Sequence, residues 1–185
     1  MNAQVLDALK KEMEQTIDAM RKDFAKMRTG RASTALIEGV MVDYYGSRSP
    51  LNQLAALSAP EPRLLVIQPY DRSVMQAIEK GILQSDLGLT PINDGKVIRL
   101  PIPELTEERR KELVRHVRKV AEDYRVSLRN HRRDANERLK KMQKEKQIPE
   151  DEARATQDRV QKLTDEYIDK LDKLLKAKED ELMAV

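Results

Sequence analysis

The stretch that decides the fold is TEERRKELVRHVRKVAEDYRVSLRNHRRDANERLKKMQKEK, residues 106–146. It contains no glycine and no proline, and most of its residues are good helix formers. Apolar or small side chains, with one histidine, recur in steps of three and four at Leu113, Val117, Val120, Tyr124, Leu128, His131, Ala135, Leu139 and Met142. This spacing predicts one amphipathic helix, about 60 Å long, with an apolar stripe that only partner helices can bury.

Two further segments are predicted to supply those partner helices, namely residues 4–28 and the segment that follows Pro149. Their apolar side chains also recur in steps of three and four: Val5, Leu9, Met13, Ile17, Met20, Phe24 and Met27 in the first, and Val160, Leu163, Tyr167, Leu171 and Leu174, with Leu182 as a candidate last member, in the third. Three acidic residues follow Pro149, which is typical of a helix start. Three long helices with one stripe each predict a three-helix bundle.

Residues 31–104 have a different composition from the rest of the chain. All six glycines and seven of the eight prolines lie between Gly30 and Pro103. Short strands are predicted at residues 40–45, 63–67 and 96–100, and a helix is predicted at residues 73–85. The sequence therefore predicts an α+β protein with two domains. Residues 1–30 and 105–185 form the bundle, and residues 31–104 form a small, β-rich α/β domain inserted between its first and second helices.

Two lengths of chain connect the predicted domains. They contain Arg28, Thr29, Gly30 and Arg31 on one side, and Pro101, Pro103 and Leu105 on the other. Glycine widens the choice of backbone conformation, whereas proline restricts it. A double connection of this kind fits either a hinge of limited direction or a rigid elbow.

The positive charge of the chain is concentrated on the central helix. Residues 107–146 hold 15 Lys and Arg against 8 Asp and Glu, giving +7, whereas the whole chain carries +3 and residues 147–185 carry −4. Four arginines fall within a sector of about 60° beside the apolar stripe, and Arg133 adjoins them; the four are Arg118, Arg125, Arg129 and Arg132. Guanidinium groups suit phosphate contacts, and the helix offers almost no exposed aromatic ring for base stacking.

Two interpretations of this charge stay open at this point. The arginine face predicts binding to structured RNA through its backbone and shape. The charge pattern alone fits equally well a solvated helix whose side chains pair with the acidic third helix.

The sequence shows no recognisable catalytic or metal-binding pattern. It has no cysteine, its two histidines lie fifteen residues apart, and no glycine-rich phosphate loop occurs. His131 falls on the apolar stripe, where a packed histidine is expected. No apolar run approaches the roughly 18 residues that cross a membrane, and the N-terminus lacks a signal-peptide core. We therefore expect a soluble, cytoplasmic monomer that is not an enzyme and needs no metal or cofactor.

Seven motifs, taken together, carry a resemblance to a known family. They are MRTGRAS at 27–33, YYG at 44–46, PLNQLA at 50–55, DLGL at 86–89, DGKVIRLPIP at 94–103, LTEERRK at 105–111 and RNHRRDAN at 129–136. Through these motifs the chain resembles the bacterial ribosome recycling factor family, in order and over essentially its whole length.

The resemblance implies an L-shaped molecule with a bundle arm and a smaller α/β arm. It also implies a translation factor that binds the large ribosomal subunit after termination and, with elongation factor G and GTP, separates the subunits. Arg129 and Arg132 match the family's positions for ribosomal RNA binding, whereas Arg118, Arg125 and Arg133 join them only by helical spacing. The two connecting segments match the family's hinge. A helical interaction module, such as a chaperone-like adaptor, is the alternative function, and an enzyme comes third.

Overall fold

The computed structural model describes residues 2–184, which divide into two compact units. The bundle unit holds the described residues up to Phe24 and from Lys111 onward, and the small unit is Ala25–Arg110. The helices and strands are α1 (Asn2–Ala25), β1 (Met41–Tyr44), β2 (Ser47–Pro50), α2 (Leu51–Leu54), β3 (Ala55–Glu61), β4 (Leu64–Pro69), α3 (Met75–Gln84), β5 (Ile92–Asn93), β6 (Ile98–Pro101), α4 (Glu107–Lys144) and α5 (Glu150–Met183). Long helices beside a small antiparallel sheet confirm the predicted α+β class.

The predicted apolar stripes are buried to different extents: six of seven predicted residues are buried for α1, four of nine for α4 and four of six for α5, and the others are half-buried. The buried residues of α4 are Val117, Ala121, Leu128, Ala135 and Leu139. Ala121 was not part of the predicted stripe, and its neighbour Val120 is only half-buried. Helix α5 begins at Glu150, directly after Pro149, as predicted. Helix α1 ends at Ala25 rather than at residue 28, and the chain then reaches Gly30 at φ 82°, a conformation outside the right-handed helix.

Polar contacts between the helices fix their directions in the bundle unit. Thr16 Oγ1 lies 3.0 Å from His131 Nε2, and Tyr124 donates a hydrogen bond to Asp23, so α1 and α4 are antiparallel. Tyr167 Oη donates to Glu14 Oε2 at 2.6 Å, and Asn2 Nδ2 donates to Glu152 Oε1, so α1 and α5 are parallel. His131 is thus packed and hydrogen-bonded on the stripe.

The small unit encloses an aliphatic core of its own. Its main sheet is antiparallel with the strand order β3-β4-β6-β5, and β1 and β2 form a separate hairpin. In the register of β4 and β6, Leu65 lies opposite Leu100 and Ile67 opposite Ile98, and all four side chains are fully buried. Val74, Met75, Ile78 and Ile82, at the start of and along α3, cover this core.

The sequence predicted strands β1, β4 and β6 and helix α3 to within a few residues, but it missed three strands. Strand β3 lies at the edge of the sheet and is mostly exposed, so its sequence AALSAPE shows no apolar alternation. Strand β2 (SRSP) has no apolar side chain other than Pro50, and β5 has only two residues. Strands with so little burial leave no periodic signal.

Candidate nucleic-acid interface

The five predicted interface arginines all lie on α4, but they divide into two groups by what surrounds them. The flank group contacts α5 and consists of Arg118, Arg125 and Arg132. The outer group consists of Arg129 and Arg133, which are both exposed. Helical geometry explains only part of this division. Arg133 lies about 60° round the helix from Arg118, but Arg129 lies only about 20° from it and differs by pairing with Glu122 on α4 rather than with α5.

The flank group forms a regular ladder of contacts between two antiparallel helices. Arg118 Nε lies 2.7 Å from Glu179 Oε1, Arg125 Nη2 lies 2.6 Å from Asp172 Oδ1, and Arg132 Nη1 donates to Gln161 Oε1 at 3.4 Å. The hydrogen bond from Arg118 to Glu179 raises the pKa of the Arg118 guanidinium, and the bond to Asp172 raises that of Arg125. Arg118 and Arg125 therefore pair with the acidic third helix, as the alternative interpretation of the charge expects.

The outer group remains available to a ligand. The side chain of Arg129 is 46% exposed, and its only ion pair within residues 2–184 is a 3.5 Å contact with Glu122 on the same helix. Arg133 is exposed and makes no ion pair or side-chain hydrogen bond with the residues that the structure describes. Because exposed ion pairs are weak, a phosphate can displace Glu122 at small cost. These two guanidinium groups are the best-placed phosphate ligands among the five.

Further exposed cations extend the outer group along α4. Arg115 and Lys140 are exposed, and sequence reasoning did not include them. Arg115 lies 18 residues before Arg133, which is five full turns of an α-helix, and Lys140 lies seven residues after it. Spacing by seven and eighteen would have found both residues. The resulting row of cations runs along one side of the helix and suits an extended polyanion better than a small anion.

The two predicted hinge segments meet inside the small unit. Arg28 Nη2 donates to the carbonyl of Pro103 at 3.2 Å, and a Cβ atom on Gly30 would lie 3.6 Å from Leu105 Cγ. Thr29 and Leu105 are buried, whereas Arg31, Pro101 and Pro103 are exposed. The structure thus brings the two segments into contact with each other.

Arg28 is the electrostatically unusual residue of this pair of segments. Its Nε atom is buried and has no hydrogen-bond partner among residues 2–184. Burial, and secondly the positive charge of Arg109, lowers the pKa of the Arg28 guanidinium from its ordinary value. The hydrogen bond from Arg28 to Pro103 therefore links the two connecting segments. The guanidinium that makes this link has only part of its hydrogen-bonding capacity satisfied.

Residues 2–184 contain no cluster of three or more side chains suited to a metal ion. Within the same residues, no helix combines the length and apolar character that crossing a bilayer requires.

Fold and surface together define a class of protein: an α+β protein that carries a cationic row on the central helix of a three-helix bundle, with a small sheet-containing unit inserted between helices. The comparisons with known proteins name the family. The chain belongs to the ribosome recycling factor family, whose model matches residues 20–183.

Relatives match over nearly the full length of the chain. The ribosome-recycling factor of Carboxydothermus hydrogenoformans is 58% identical over 181 residues, which is 98% of each chain. A solved solution structure of ribosome recycling factor is 44% identical, with a TM-score of 0.78 over 100% of this chain and 98% of that one.

In a second solved structure, a relative of this chain is one component of a larger complex. It consists of models for the Thermus thermophilus ribosome recycling factor and the Escherichia coli elongation factor G bound to the E. coli post-termination complex. The matched chain is 44% identical, with a TM-score of 0.68 and full coverage of both chains.

Proposed function

We propose that this protein recycles ribosomes: it binds the post-termination ribosome and, together with elongation factor G and GTP, separates the two subunits. The observation that carries the proposal is the full-length match to the ribosome recycling factor family. The second solved relative, described with elongation factor G and a post-termination complex, supports the choice of partners. In this role the protein binds and positions but catalyses no reaction itself, and it works in the cytoplasm, where ribosomes are.

The cationic row of α4 is the proposed contact with ribosomal RNA of the large subunit. Arg129 and Arg133 provide the main phosphate ligands, and Arg132 lies beside them on the flank, where it makes a 3.4 Å contact with Gln161. Arg118 and Arg125 act mainly by holding α5, although Arg118 keeps a 62% exposed side chain that can also face a phosphate. Guanidinium groups on a rigid helix recognise a phosphate backbone through charge and bidentate hydrogen bonds.

The function is tested by measuring subunit separation directly. Post-termination ribosomes are mixed with the protein, elongation factor G and GTP, and light scattering follows the loss of intact ribosomes. Separation should require all three components and should stop when a non-hydrolysable GTP analogue replaces GTP. If the complete mixture leaves the ribosomes intact while elongation factor G remains active in translocation, the proposed function is wrong. A helical adaptor would give that result.

The two connecting segments are the proposed hinge. Replacing Arg28 by Ala removes the hydrogen bond to Pro103 that ties one segment to the other. Subunit separation should change several-fold, whereas affinity for isolated large subunits should stay the same, because no α4 cation is altered. Lys26→Ala, an exposed change two residues away, is the matched control. Equal separation rates for both variants and the wild type would contradict a role for this contact.

A further inference from the structure

The contact between α4 and α5 repeats every seven residues on both helices. The flank arginines of α4 are Arg118, Arg125 and Arg132, and the acidic residues at the same interval on α5 are Asp158, Asp165, Asp172 and Glu179. The first two arginines pair with the last two acids, so the helices run in opposite directions here. A step of seven residues forward on α4 therefore meets a step of seven backward on α5. By this rule the partner of Arg132 is Asp165, and we call each arginine with its acidic partner a rung.

The structure departs from the repeat at the third rung. Arg132 and Asp165 form no ion pair with each other in residues 2–184. The side-chain amide of Gln161 contacts both of them instead. Gln161 Nε2 donates to Asp165 Oδ1 at 2.8 Å, and Gln161 Oε1 accepts from Arg132 Nη1 at 3.4 Å. The first hydrogen bond has an ordinary length and the second is long, so the carboxylate is held firmly and the guanidinium only weakly.

A glutamine side chain is suited to this bridge because its amide carries a donor and an acceptor at one end. The NH₂ group faces the carboxylate, and the oxygen faces the guanidinium. Gln161 and Asp165 are four residues apart on α5, a spacing at which side chains of one helix meet. The amide thus satisfies the carboxylate without adding a charge of its own.

The other two rungs provide an internal comparison. The residues four positions before Asp172 and Glu179 are Ile168 and Leu175. These aliphatic side chains cannot hydrogen-bond to a carboxylate, and at both rungs the arginine pairs directly with the acid. The third rung is therefore the one where an amide replaces an aliphatic side chain and where the direct ion pair is missing.

The third rung also lies beside the outer group of arginines. Arg129 and Arg133, three residues before and one residue after Arg132, are both exposed. Pairing Arg132 with Asp165 would neutralise one of three neighbouring cations and lower the local potential that attracts a phosphate. With Asp165 bound to a neutral amide, all three guanidinium groups keep their attraction for a polyanion.

We propose that Gln161 is a positioning residue for RNA binding: by bonding to Asp165, it keeps Arg132 out of the ion-pair ladder and available to a phosphate of ribosomal RNA. This inference rests on the proposed function, which supplies the RNA. Gln161 does not contact the ligand, and it acts through Asp165 and Arg132. The first two rungs hold α4 against α5, and the third is reserved for the ligand.

The substitution Gln161→Leu tests the proposal, because it gives the third rung the kind of side chain that the other two carry. Leucine is a good helix former, so α5 should fold as before. Affinity for isolated large subunits should fall about two- to fivefold, since a surface ion pair with Asp165 then competes with the phosphate for Arg132. Wild-type affinity in this variant would overturn the proposal.

Two further combinations show whether the loss passes through the proposed residues. Adding Asp165→Asn to Gln161→Leu should restore the affinity, because the competing carboxylate is gone. Asp169→Asn is the matched control, since it removes the same charge from an exposed residue of α5 that pairs with Lys173, and it should restore little. In a chain that already carries Arg132→Ala, Gln161→Leu should change nothing. Equal rescue by the two aspartate substitutions, or a further loss without Arg132, would overturn the proposal.

A second measurement needs no ribosome. Urea unfolding of the free protein gives the coupling between Arg132→Ala and Asp165→Asn in the unfolding equilibrium constant. The two substitutions should act independently when Gln161 is present and should be coupled about two- to fivefold after Gln161→Leu. Equal couplings in both backgrounds, with normal large-subunit affinity of the wild type, would refute the role of Gln161 alone. A wild-type chain without affinity for large subunits would refute the proposed function itself, so the two failures are distinguishable.

Discussion

The bundle unit and the small unit differ in the charge and aromatic character of the surface that each exposes. The bundle unit separates its charges by helix, so that its part of α4, residues 111–144, is strongly basic while α5 is acidic. The small unit balances its charges and exposes two tyrosine rings. The net charge summed over the whole chain is therefore a poor guide to the kind of ligand that each unit binds. The distribution over one helix predicts a phosphate ligand, and local neutrality around aromatic rings predicts a protein ligand.

The largest effect should come from substitutions that leave a cavity in the hydrophobic core of either unit. They test whether the two units unfold independently. Ile17→Ala in α1 and Ile67→Ala in β4 both remove fully buried side chains, and each should cost about 2–4 kcal/mol of unfolding free energy. Hydrogen exchange should accelerate mainly in the unit that carries the substitution. Ile92→Ala, at a 54% exposed position, is the control and should cost less than about 0.5 kcal/mol. Uniform acceleration in both units would show that they unfold together.

The second-largest effect should be a difference in large-subunit affinity between variants of the outer arginines and variants of the flank arginines of α4. Arg129→Ala combined with Arg133→Ala should weaken binding to isolated large subunits by about 10- to 100-fold. It should also reduce the slope of log affinity against log salt concentration by about one to two. Arg118→Ala should weaken binding less and lower stability by up to about 1 kcal/mol, since it breaks an exposed pair with Glu179.

Arg154→Ala is the control for this experiment. The side chain of Arg154 is 78% exposed on α5, and its one ion pair within residues 2–184 is with Glu150, so its loss removes one positive charge from another helix, against two for the outer pair. A loss of binding free energy for Arg154→Ala that is about half that of the outer pair would mean that net charge alone drives binding.

A smaller effect should appear at Gly30, where the connection between the units depends on the backbone. Its φ of 82° lies in the left-handed region, so Gly30→Ala should cost about 1–2 kcal/mol. Space is not the reason, because the nearest atom to an added Cβ is Leu105 Cγ at 3.6 Å. Gly39→Ala is the control, since Gly39 has neither a positive φ nor a neighbour within 4 Å of an added Cβ. Thermal unfolding of both variants checks the difference, and equal midpoints would contradict it.

How much of each unit the sequence predicts also differs, for a physical reason. In the bundle unit every helix must bury one face for its whole length, so periodicity alone located α1, α4 and α5 and most of their buried residues. In the small unit, β4 and β6 are central strands with buried apolar residues, and both were predicted. Strand β3 contributes few buried side chains and left no pattern to detect.

The candidate site was predicted in part. Helical spacing placed the arginines on one side of α4, but it did not distinguish Arg125, whose side chain is 20% exposed, from Arg133. That distinction depends on where Asp172 and Glu179 lie, which is a contact between residues distant in sequence.

The smallest effect concerns a polar contact between helices of the bundle unit, the hydrogen bond from Tyr167 to Glu14. Burial, together with the hydrogen bond to Glu14, raises the pKa of Tyr167 to about 12, whereas an unfolded tyrosine titrates near 10. A raised pKa means that the phenol stabilises the fold fully below about pH 10 and loses this contribution as the pH rises to about 12. Tyr167→Phe should therefore cost about 1 kcal/mol at pH 8 and flatten the fall in stability above pH 10. Urea unfolding at pH 8 and pH 11 checks both, with Tyr70→Phe as an exposed control that should leave stability at pH 8 unchanged. An equally steep alkaline loss in Tyr167→Phe would mean that other groups set it, Tyr124 foremost, since burial and Asp23 also raise its pKa to about 12.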